Sequence, residues 1–294
     1  MKKFYYLLFL PLFIILYSCN SNDKRIVIGV SQCSDDAWRK YLNEEIQREA
    51  SFYDNVDVVI KTAFDSNQKQ IRDIEELIDL GVDLLVVAPN EAIPLTSVIE
   101  KAISVNIPVI LDDRKINSGK YTAFVGADNF QIGREVGVYT VNLLKGKGNI
   151  VEIKGLEGST PAVERHEGFM SVIKKYPDIK IIYQADGEWL KSKAKEKMTD
   201  ALNANGNVDL IFAHNDEMAI GAEEAVKVRS DIKKPIILGI DALPGSQGGI
   251  QNVINGNIDA TFIYPTGGDK VVQLAMNILK KDVYEKENTL FTAV

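Results

Sequence analysis

Short aliphatic runs alternate with amphipathic stretches along most of this chain. From Arg25 onward, runs rich in valine, isoleucine and leucine are separated by stretches in which apolar residues recur every three or four positions. A strand pattern that alternates with a helix pattern predicts βαβ units, in which helices cover a parallel sheet. The predicted strands are Ile26–Ser31, Val56–Thr62, Asp83–Ala88, Pro108–Asp112, Thr122–Val125, Asn149–Lys154, Lys180–Gln184, Asp209–Ala213, Pro235–Ile240 and Ala260–Ile263.

Helices are predicted between these strands, and two of them have clear ends. The segment Asn67–Leu80 carries three isoleucines and Leu77 on one face and charged residues on the other, and Gly81 follows as a helix stop. Further along, Ser159 stands as a capping residue shortly before Pro161, which suits a first helical turn. A helix that carries Arg165 and Phe169 is therefore predicted to begin there.

The chain contains an internal repeat. Residues 82–113 and 208–241 each have an aliphatic strand ending near Asn, a helical stretch, and a strand that starts with Pro and ends at Asp. Because ligands bind at the carboxyl ends of strands in open α/β sheets, polar residues at these ends are expected to face one cleft. The residues concerned are Asn90, Asp113, Asn215 and Asp241. A chance similarity between apolar strands is the alternative.

The first residues differ from the rest of the chain. Two lysines precede the apolar run Phe4–Leu16, which is shorter than the roughly 20 residues that a membrane-spanning helix needs. The residues that follow, up to Cys19, resemble a bacterial lipobox, whose cysteine is acylated. We therefore predict a signal peptide with a lipidated Cys19 over residues 1–19 and a tether over residues 20–24. An ordinary signal peptide or an uncleaved anchor is the alternative.

Length and charge narrow the class of protein. A chain of 294 residues suits two domains of similar size, and 46% hydrophobic with 26% charged residues is typical of a globular protein. The formal net charge is −7 and no basic run is present. Because an acidic surface repels a phosphate backbone, nucleic acid is not an expected partner.

The sequence contains no recognisable catalytic motif. Its two histidines, His166 and His214, lack metal-ligand spacing and are predicted to be local hydrogen-bonding residues. Walker, dinucleotide-binding and Gly-x-Ser-x-Gly motifs are missing as well. We therefore expect no metal and no cofactor, and a binding protein that performs no chemistry. A doubly wound, sugar-modifying enzyme is the alternative.

The polar and aromatic residues near the predicted strand ends suit a neutral polyol. Carboxylates and guanidinium groups bind sugar hydroxyls through charge-assisted hydrogen bonds, and planar rings cover the apolar faces of a sugar. The chain has two tryptophans, Trp38 after the first strand and Trp189 after a strand of the second half. One could stand in each half of the cleft; a place in the core is the alternative for each.

Several segments resemble the type I periplasmic binding proteins of the ribose-binding group, which share their core with lactose-repressor-like regulators. These segments are Ile26–Ser31, Pro108–Arg114, Glu164–Phe169, Phe212–Ala222 and Leu238–Asp241. The resemblance runs in order from about Ile26 to the C-terminus. It implies two doubly wound parallel-sheet lobes that close on a ligand. The signal segment stands where the regulators have a helix-turn-helix, which argues against a transcription factor.

The resemblance also implies the ligand-binding residues. The first lobe would contribute Asp35, Trp38, Asp113 and Arg114, and the second lobe Arg165, Trp189, Asn215 and Asp241. Tyr264 stands near the hinge glutamine of the family. Ala37 replaces an aromatic residue of the ribose binders, so a larger pocket and a hexose such as fructose are expected rather than a pentose.

In the family fold three strands join the lobes, here near Ala127-Asp128, Tyr264-Pro265 and Glu287–Thr289. The implied N-terminal lobe is 25–127 plus 265–288, and the C-terminal lobe is 128–264 plus 289–294.

The implied partner is either an ABC transporter permease or a sensor kinase. The run Gly155–Pro161 and the triplet Tyr264–Thr266 resemble periplasmic sensor domains of Bacteroides hybrid two-component systems. A monosaccharide in the periplasm is the expected ligand under either reading. Because the chain ends a few residues before family members complete their last strand, we also expect it to be a fragment of a longer protein.

Overall fold

A computed structural model describes residues 25–290 as two parallel sheets covered by helices. The elements of the first part are β1 (Ile26–Gln32), α1 (Ala37–Ala50), β2 (Val56–Thr62), α2 (Asn67–Leu80), β3 (Leu84–Val87), α3 (Ala92–Ser104), β4 (Val109–Asp112) and β5 (Ala123–Ala127). Those of the second part are α4 (Asn129–Leu144), β6 (Gly148–Lys154), α5 (Thr160–Ile173), β7 (Ile179–Asp186), α6 (Lys191–Ala204), β8 (Leu210–Ala213), α7 (Asp216–Lys227), β9 (Ile236–Asp241), α8 (Gly249–Ile254) and β10 (Ala260–Ile263). The last two are α9 (Gly268–Lys280) and β11 (Glu287–Leu290).

Each sheet belongs to one lobe and has the order of a doubly wound fold. The first sheet runs β11-β5-β4-β3-β1-β2 and the second runs β10-β9-β8-β6-β7, with every pairing parallel. This confirms the predicted α/β class with two doubly wound parallel-sheet lobes.

The predicted strands are all present, with small differences at their ends. Central strands such as β3, β4 and β8 are buried along their whole length, because helices cover both faces of a parallel sheet. Continuous aliphatic runs are the composition that this environment requires. β11 is an additional edge strand, which pairs with β5.

The predicted end of α2 and the predicted start of α5 are both observed, but the hydrogen bonding at the start of α5 differs from the expectation. α2 covers the predicted residues and ends at Gly81, whose φ of 73° lies in the left-handed region that glycine adopts without strain. α5 has Ser159 at its N-cap position and Pro161 in its first turn, as predicted. The Ser159 hydroxyl, however, donates to the Leu156 carbonyl at 2.6 Å and makes no cap hydrogen bond.

The internal repeat corresponds to the centre of each sheet. In the first lobe β3 pairs with β4, and in the second lobe β8 pairs with β9. The repeat therefore brings Asp113, which directly follows β4, and Asp241, which ends β9, to equivalent edges of the two sheets.

The chain passes from the first sheet to the second after β5 and returns after β10. β11 then continues in the first sheet as far as Leu290, where Thr289 and Leu290 pair with Gly126 and Ala127. The sequence assigned residues 289–294 to the other lobe, and the division into lobes at residues 127, 264 and 288 stays a prediction.

No helix within residues 25–290 is long and apolar enough to cross a membrane. The predicted signal peptide, the lipidated Cys19 and the tether over 20–24 lie outside the described residues. Cys33 is buried with a free thiol.

Candidate ligand-binding cleft

A cavity of about 320 Å³ lies between the two lobes, at the carboxyl ends of their strands. Its lining combines charged groups, amides and aromatic rings from both lobes. All but one of the predicted ligand-binding residues line it: Trp38, Asp113, Arg114, Arg165, Trp189, Asn215, Asp241 and Tyr264. The fold thus brings together side chains that lie far apart in the sequence.

Asp35 is the exception. Its side chain is about half exposed and pairs with Lys40 at 3.2 Å, and it is not part of the cavity lining formed by the described residues. The neighbouring Asp36 lines the cavity instead, where it caps α1 by accepting a hydrogen bond from Arg39 N at 2.8 Å. A helix start orients adjacent side chains in different directions, so a shift of one residue exchanges their roles.

Asp113 lies in the first lobe between guanidinium groups. It directly follows β4 and has a φ of 64°, in the left-handed region of backbone conformation. Arg39 forms a buried ion pair with it, and Arg114 Nε lies 3.5 Å from the same oxygen. Burial alone would raise the pKa of Asp113, but these cations lower the pKa below its ordinary value. The carboxylate is therefore ionised at neutral pH.

Arg39 is a cavity residue that the sequence analysis missed. It is 2% exposed, and its guanidinium group also lies 4.7 Å from the centre of the Trp38 ring. Its position directly after Trp38 near a predicted strand end was the available signal. A cation at the start of a helix is usually a solvated surface residue, so the sequence alone did not single it out.

Arg165 is the corresponding cation of the second lobe. It comes from α5 and is 3% exposed. Its Nε donates to Asn129 Oδ1 at 2.8 Å, and its Nη1 donates to the His214 carbonyl. The guanidinium group stacks 4.5 Å from the Tyr264 ring centre and 5.4 Å from that of Trp189. These contacts leave it in one orientation at the cavity wall.

The two tryptophans stand on opposite lobes, as the sequence suggested. Trp38 packs against Tyr264 with ring centres 5.5 Å apart, and its Nε1 donates to the Tyr264 carbonyl at 3.4 Å. Trp189 has a φ of 67° in the loop before α6, and Arg114 of the other lobe lies 5.5 Å from its ring centre. Flat rings on both sides of a cavity suit the apolar faces of a sugar.

Asn215 and Asp241 complete the second-lobe wall. Asn215 caps α7 by accepting from Met218 N at 2.9 Å, and its Nδ2 donates to the Trp189 carbonyl at 3.4 Å. Asp241 ends β9 beside Asp216, another lining residue that sequence reasoning missed. Burial, followed by the neighbouring acid, raises the pKa of Asp241 well above its ordinary value, and burial raises the pKa of Asp216 to about 7. This acid pair can hold a proton near neutral pH.

Both histidines belong to a hydrogen-bonded cluster behind the cavity. His166 Nδ1 and His214 Nε2 lie 3.0 Å and 3.1 Å from the carboxylate oxygens of Glu152, and Gln184 Nε2 donates to the same carboxylate at 2.7 Å. Burial opposes ionisation of Glu152, but the two histidines lower its pKa to about 2. Within residues 25–290 no group of three or more His, Cys, Asp or Glu side chains is placed to hold a metal ion.

The lobes also form direct hydrogen bonds with each other outside the cavity lining. Lys115 N of the first lobe donates to Thr160 Oγ1 of the second at 3.0 Å, and Ala92 N donates to the Gly158 carbonyl at 2.9 Å. These bonds define an interlobe clasp, formed by residues 92, 115, 158 and 160. The structure is therefore the closed arrangement of the two lobes.

Two parallel-sheet lobes closed over a cavity lined by opposed charges and rings define a two-lobed ligand-binding protein. The chain belongs to the periplasmic binding protein domain family, whose sequence profile matches residues 26–282. Membership implies a periplasmic location.

Known relatives agree with this assignment. The galactofuranose-binding protein YtfQ of Escherichia coli (strain K12) is 35% identical over 245 residues, which cover 80% of this chain and 74% of the relative. The ribose import binding protein RbsB of Bacillus subtilis (strain 168) is 27% identical, with 83% of this chain and 78% of the relative covered. These relatives are named as binding proteins and not as enzymes, in agreement with the sequence prediction.

A solved structure, the fructose-binding periplasmic domain of the hybrid two-component system BT1754, is also similar. It is 54% identical to this chain, has a TM-score of 0.90, and the match covers 92% of this chain and 90% of that domain. The resemblance to ribose-binding proteins and to hybrid two-component sensor domains is thereby confirmed.

Proposed function

We propose that this protein binds a monosaccharide, with fructose as the first candidate, and closes its lobes around it without chemical conversion. The observation that carries the proposal is the cavity itself, in which Asp113 and Arg39 face Arg165 and Asp241 from the opposite lobe. Charged groups of both signs match hydroxyls, which donate and accept hydrogen bonds. The 54% identity to a fructose-binding domain supports fructose over other sugars.

In this proposal each residue has a defined role. Asp113, Arg114, Arg165, Asn215 and Asp241 hydrogen-bond the sugar hydroxyls, whereas Trp38 and Trp189 cover its ring. Asp36 takes the place that the sequence analysis assigned to Asp35. Ala37 is one of the lining residues, and its small side chain supports the choice of a hexose over a pentose.

The direct test is isothermal titration calorimetry of the purified protein with fructose, ribose, arabinose and galactose. We expect saturable binding of fructose, and weaker or no binding of the pentoses because they leave part of the cavity unfilled. Absence of heat and of thermal stabilisation with every sugar of the panel would contradict the proposal.

We propose further that closure is read by a sensor kinase and not by an importer, because the 54% identical neighbour belongs to a two-component system. The ribose- and galactofuranose-binding relatives support an importer as the alternative partner. Deletion of the gene distinguishes the sensor from the importer. Loss of fructose-induced transcription with normal fructose uptake supports the sensor, and loss of uptake supports the importer.

Membrane attachment through a lipid on Cys19 is also a proposal. So is the division of the chain into lobes at residues 127 and 264, with β11 counted in the first lobe as far as Leu290 because it pairs with β5. A Cys19→Ser variant should then be released from the membrane fraction of cells. Continued membrane association of that variant would favour an uncleaved anchor.

A further inference from the structure

A chain of hydrogen bonds runs beside the cavity from Arg165 in the second lobe to Asp113 in the first. Arg165 Nε donates to Asn129 Oδ1 at 2.8 Å, and Asn129 Nδ2 donates to the Tyr264 hydroxyl at 3.2 Å. The Tyr264 hydroxyl donates to Asp113 Oδ1, while Asp113 Oδ2 accepts from Arg39. All of these side chains are buried. We call the path from Arg165 through Asn129 and Tyr264 to Asp113 the hinge relay.

The hydrogen bonds of the hinge relay can run from donor to acceptor in one direction only, from Arg165 to Asp113. A guanidinium group has donors and no acceptor, and an ionised carboxylate has acceptors and no donor. The Asn129 amide must therefore turn its oxygen to Arg165 and its nitrogen to Tyr264, and the single hydroxyl proton of Tyr264 must go to Asp113. Successive hydrogen bonds of the same direction polarise one another, so the charges at the two ends strengthen the whole path.

The two middle residues lie where the chain passes between the lobes. Asn129 comes two residues after the end of β5, and Tyr264 directly follows β10. Closure turns the lobes about a hinge, so residues at the hinge are expected to move less than Arg165 and Asp113, which approach the ligand from opposite lobes. The hinge relay thus connects the two charged walls of the cavity through the segments that join the lobes.

We propose that Asn129 and Tyr264 are positioning residues of the ligand site. They hold the Arg165 guanidinium group and the Asp113 carboxylate in the orientations in which both face the sugar. The Tyr264 ring lines the cavity, but its hydroxyl proton serves Asp113 and not the ligand. This inference rests on the proposed sugar-binding function, and it gives Tyr264 a role different from the direct sugar contact that the family resemblance implied.

Two substitutions interrupt the hinge relay with little change of shape. Asn129→Asp can still accept from Arg165 but cannot donate, so two carboxylates compete for the Tyr264 proton. Tyr264→Phe keeps the ring against Trp38 and Arg165 and removes only the hydroxyl. Each should raise the Kd for fructose by about tenfold or more, because a buried polar partner is left unpaired or misoriented.

The double variant gives the sharper readout. Because either substitution interrupts the same path, Asn129→Asp with Tyr264→Phe should raise the Kd no further than the larger single effect. A matched control is Tyr121→Phe, which also removes a tyrosine-to-carboxylate bond, here to Glu287 Oε1 at 2.7 Å, but outside the cavity. We expect this control to bind fructose like the wild type.

The outcomes separate the two proposals. A Kd within twofold of the wild type for either single variant, or losses that simply add in the double variant, overturns the hinge relay. If Tyr264→Phe does not fold, Asn129→Asp alone decides. Failure of the wild type to bind any monosaccharide overturns the proposed function instead.

Discussion

The Asp113 carboxylate is surrounded by two guanidinium groups and a phenol, all of them buried. A buried charge is strongly unfavourable unless it is paired and hydrogen-bonded, so each of these groups needs the others. The same residues face the cavity, and their exact orientation is therefore set before a ligand enters. Residues in such a network affect both stability and binding.

Asp113→Asn should weaken fructose binding by at least tenfold and lower the melting temperature of the ligand-free protein. The amide keeps the shape of the carboxylate but leaves Arg39 buried without its counter-ion. Calorimetric titration and thermal unfolding measure the two effects. Asp35→Asn is the control, since that side chain is exposed and outside the cavity lining; equal effects of both substitutions would contradict the site.

The buried carboxyl group of Asp112 should make the stability of the protein depend on pH. It is 1% exposed, neither of its carboxyl oxygens has a hydrogen-bond partner among the described residues, and burial raises its pKa to about 8. Because the folded pKa exceeds the model-peptide value of 3.8, the folded state holds a proton that the unfolded state has lost between about pH 4 and pH 8. This contribution to stability is complete below pH 4 and is lost as the pH rises to about 8.

Asp112→Asn should therefore flatten the decline of stability over this range by at least about 1 kcal/mol. Urea unfolding at pH 5 and at pH 8 measures it for the variant and the wild type. Parallel pH profiles for the two proteins would show that Asp112 does not titrate in this range.

At the scale of elements, the packing of α4 against α5 places Arg165. A Cβ atom added at Gly133 in α4 would lie 2.1 Å from the Arg165 carbonyl oxygen, and one added at Gly168 in α5 would lie 2.0 Å from the Phe130 carbonyl oxygen. Both close approaches are to backbone atoms, which cannot rotate away. The two helices therefore touch at their backbones, which brings Arg165 next to Asn129.

Gly133→Ala should force these helices apart, lower stability by about 2 kcal/mol or more, and weaken fructose binding through displacement of Arg165. Thermal unfolding and calorimetry record both effects. Gly206→Ala serves as the control, because a Cβ atom there meets nothing within 4 Å. Wild-type behaviour of Gly133→Ala would mean that the helix spacing does not position the arginine.

At the scale of the whole molecule, ligand binding and lobe closure are one equilibrium. A ligand shifts this equilibrium only by the difference between its binding free energies for the open and closed forms. A difference of about 5.5 kcal/mol moves the ratio of closed to open molecules from 1:99 to 99:1. The interlobe clasp contributes to the closed form alone. Its bonds should therefore influence affinity without contacting the sugar.

Thr160→Val removes the hydroxyl that accepts from Lys115 N while keeping the side-chain shape. We expect the Kd for fructose to rise about two- to tenfold, with little change in ligand-free stability. Titration calorimetry and small-angle scattering, which measures the open fraction, provide the readouts. The control is Thr199→Val, which removes a hydroxyl that donates to the Lys195 carbonyl within α6 and should bind as the wild type does. An unchanged Kd for Thr160→Val would show that the bond between Lys115 and Thr160 does not stabilise the closed form.

The sequence by itself determined the order of strands and helices, because apolar periodicity follows from which faces the backbone must bury. Polar residues that end parallel strands share one edge of a sheet, and this rule predicted the lining residues Asp113, Asn215 and Asp241, but also Asn90, which does not line the cavity. The other predicted lining residues followed from the family resemblance. Only the tertiary structure decided that Asp36 rather than Asp35 faces the cavity, and that Arg39 and Asn129 join Asp113, Arg165 and Tyr264. Those contacts connect distant parts of the chain, and the pairing of buried charges depends on distances and orientations that residue spacing does not encode.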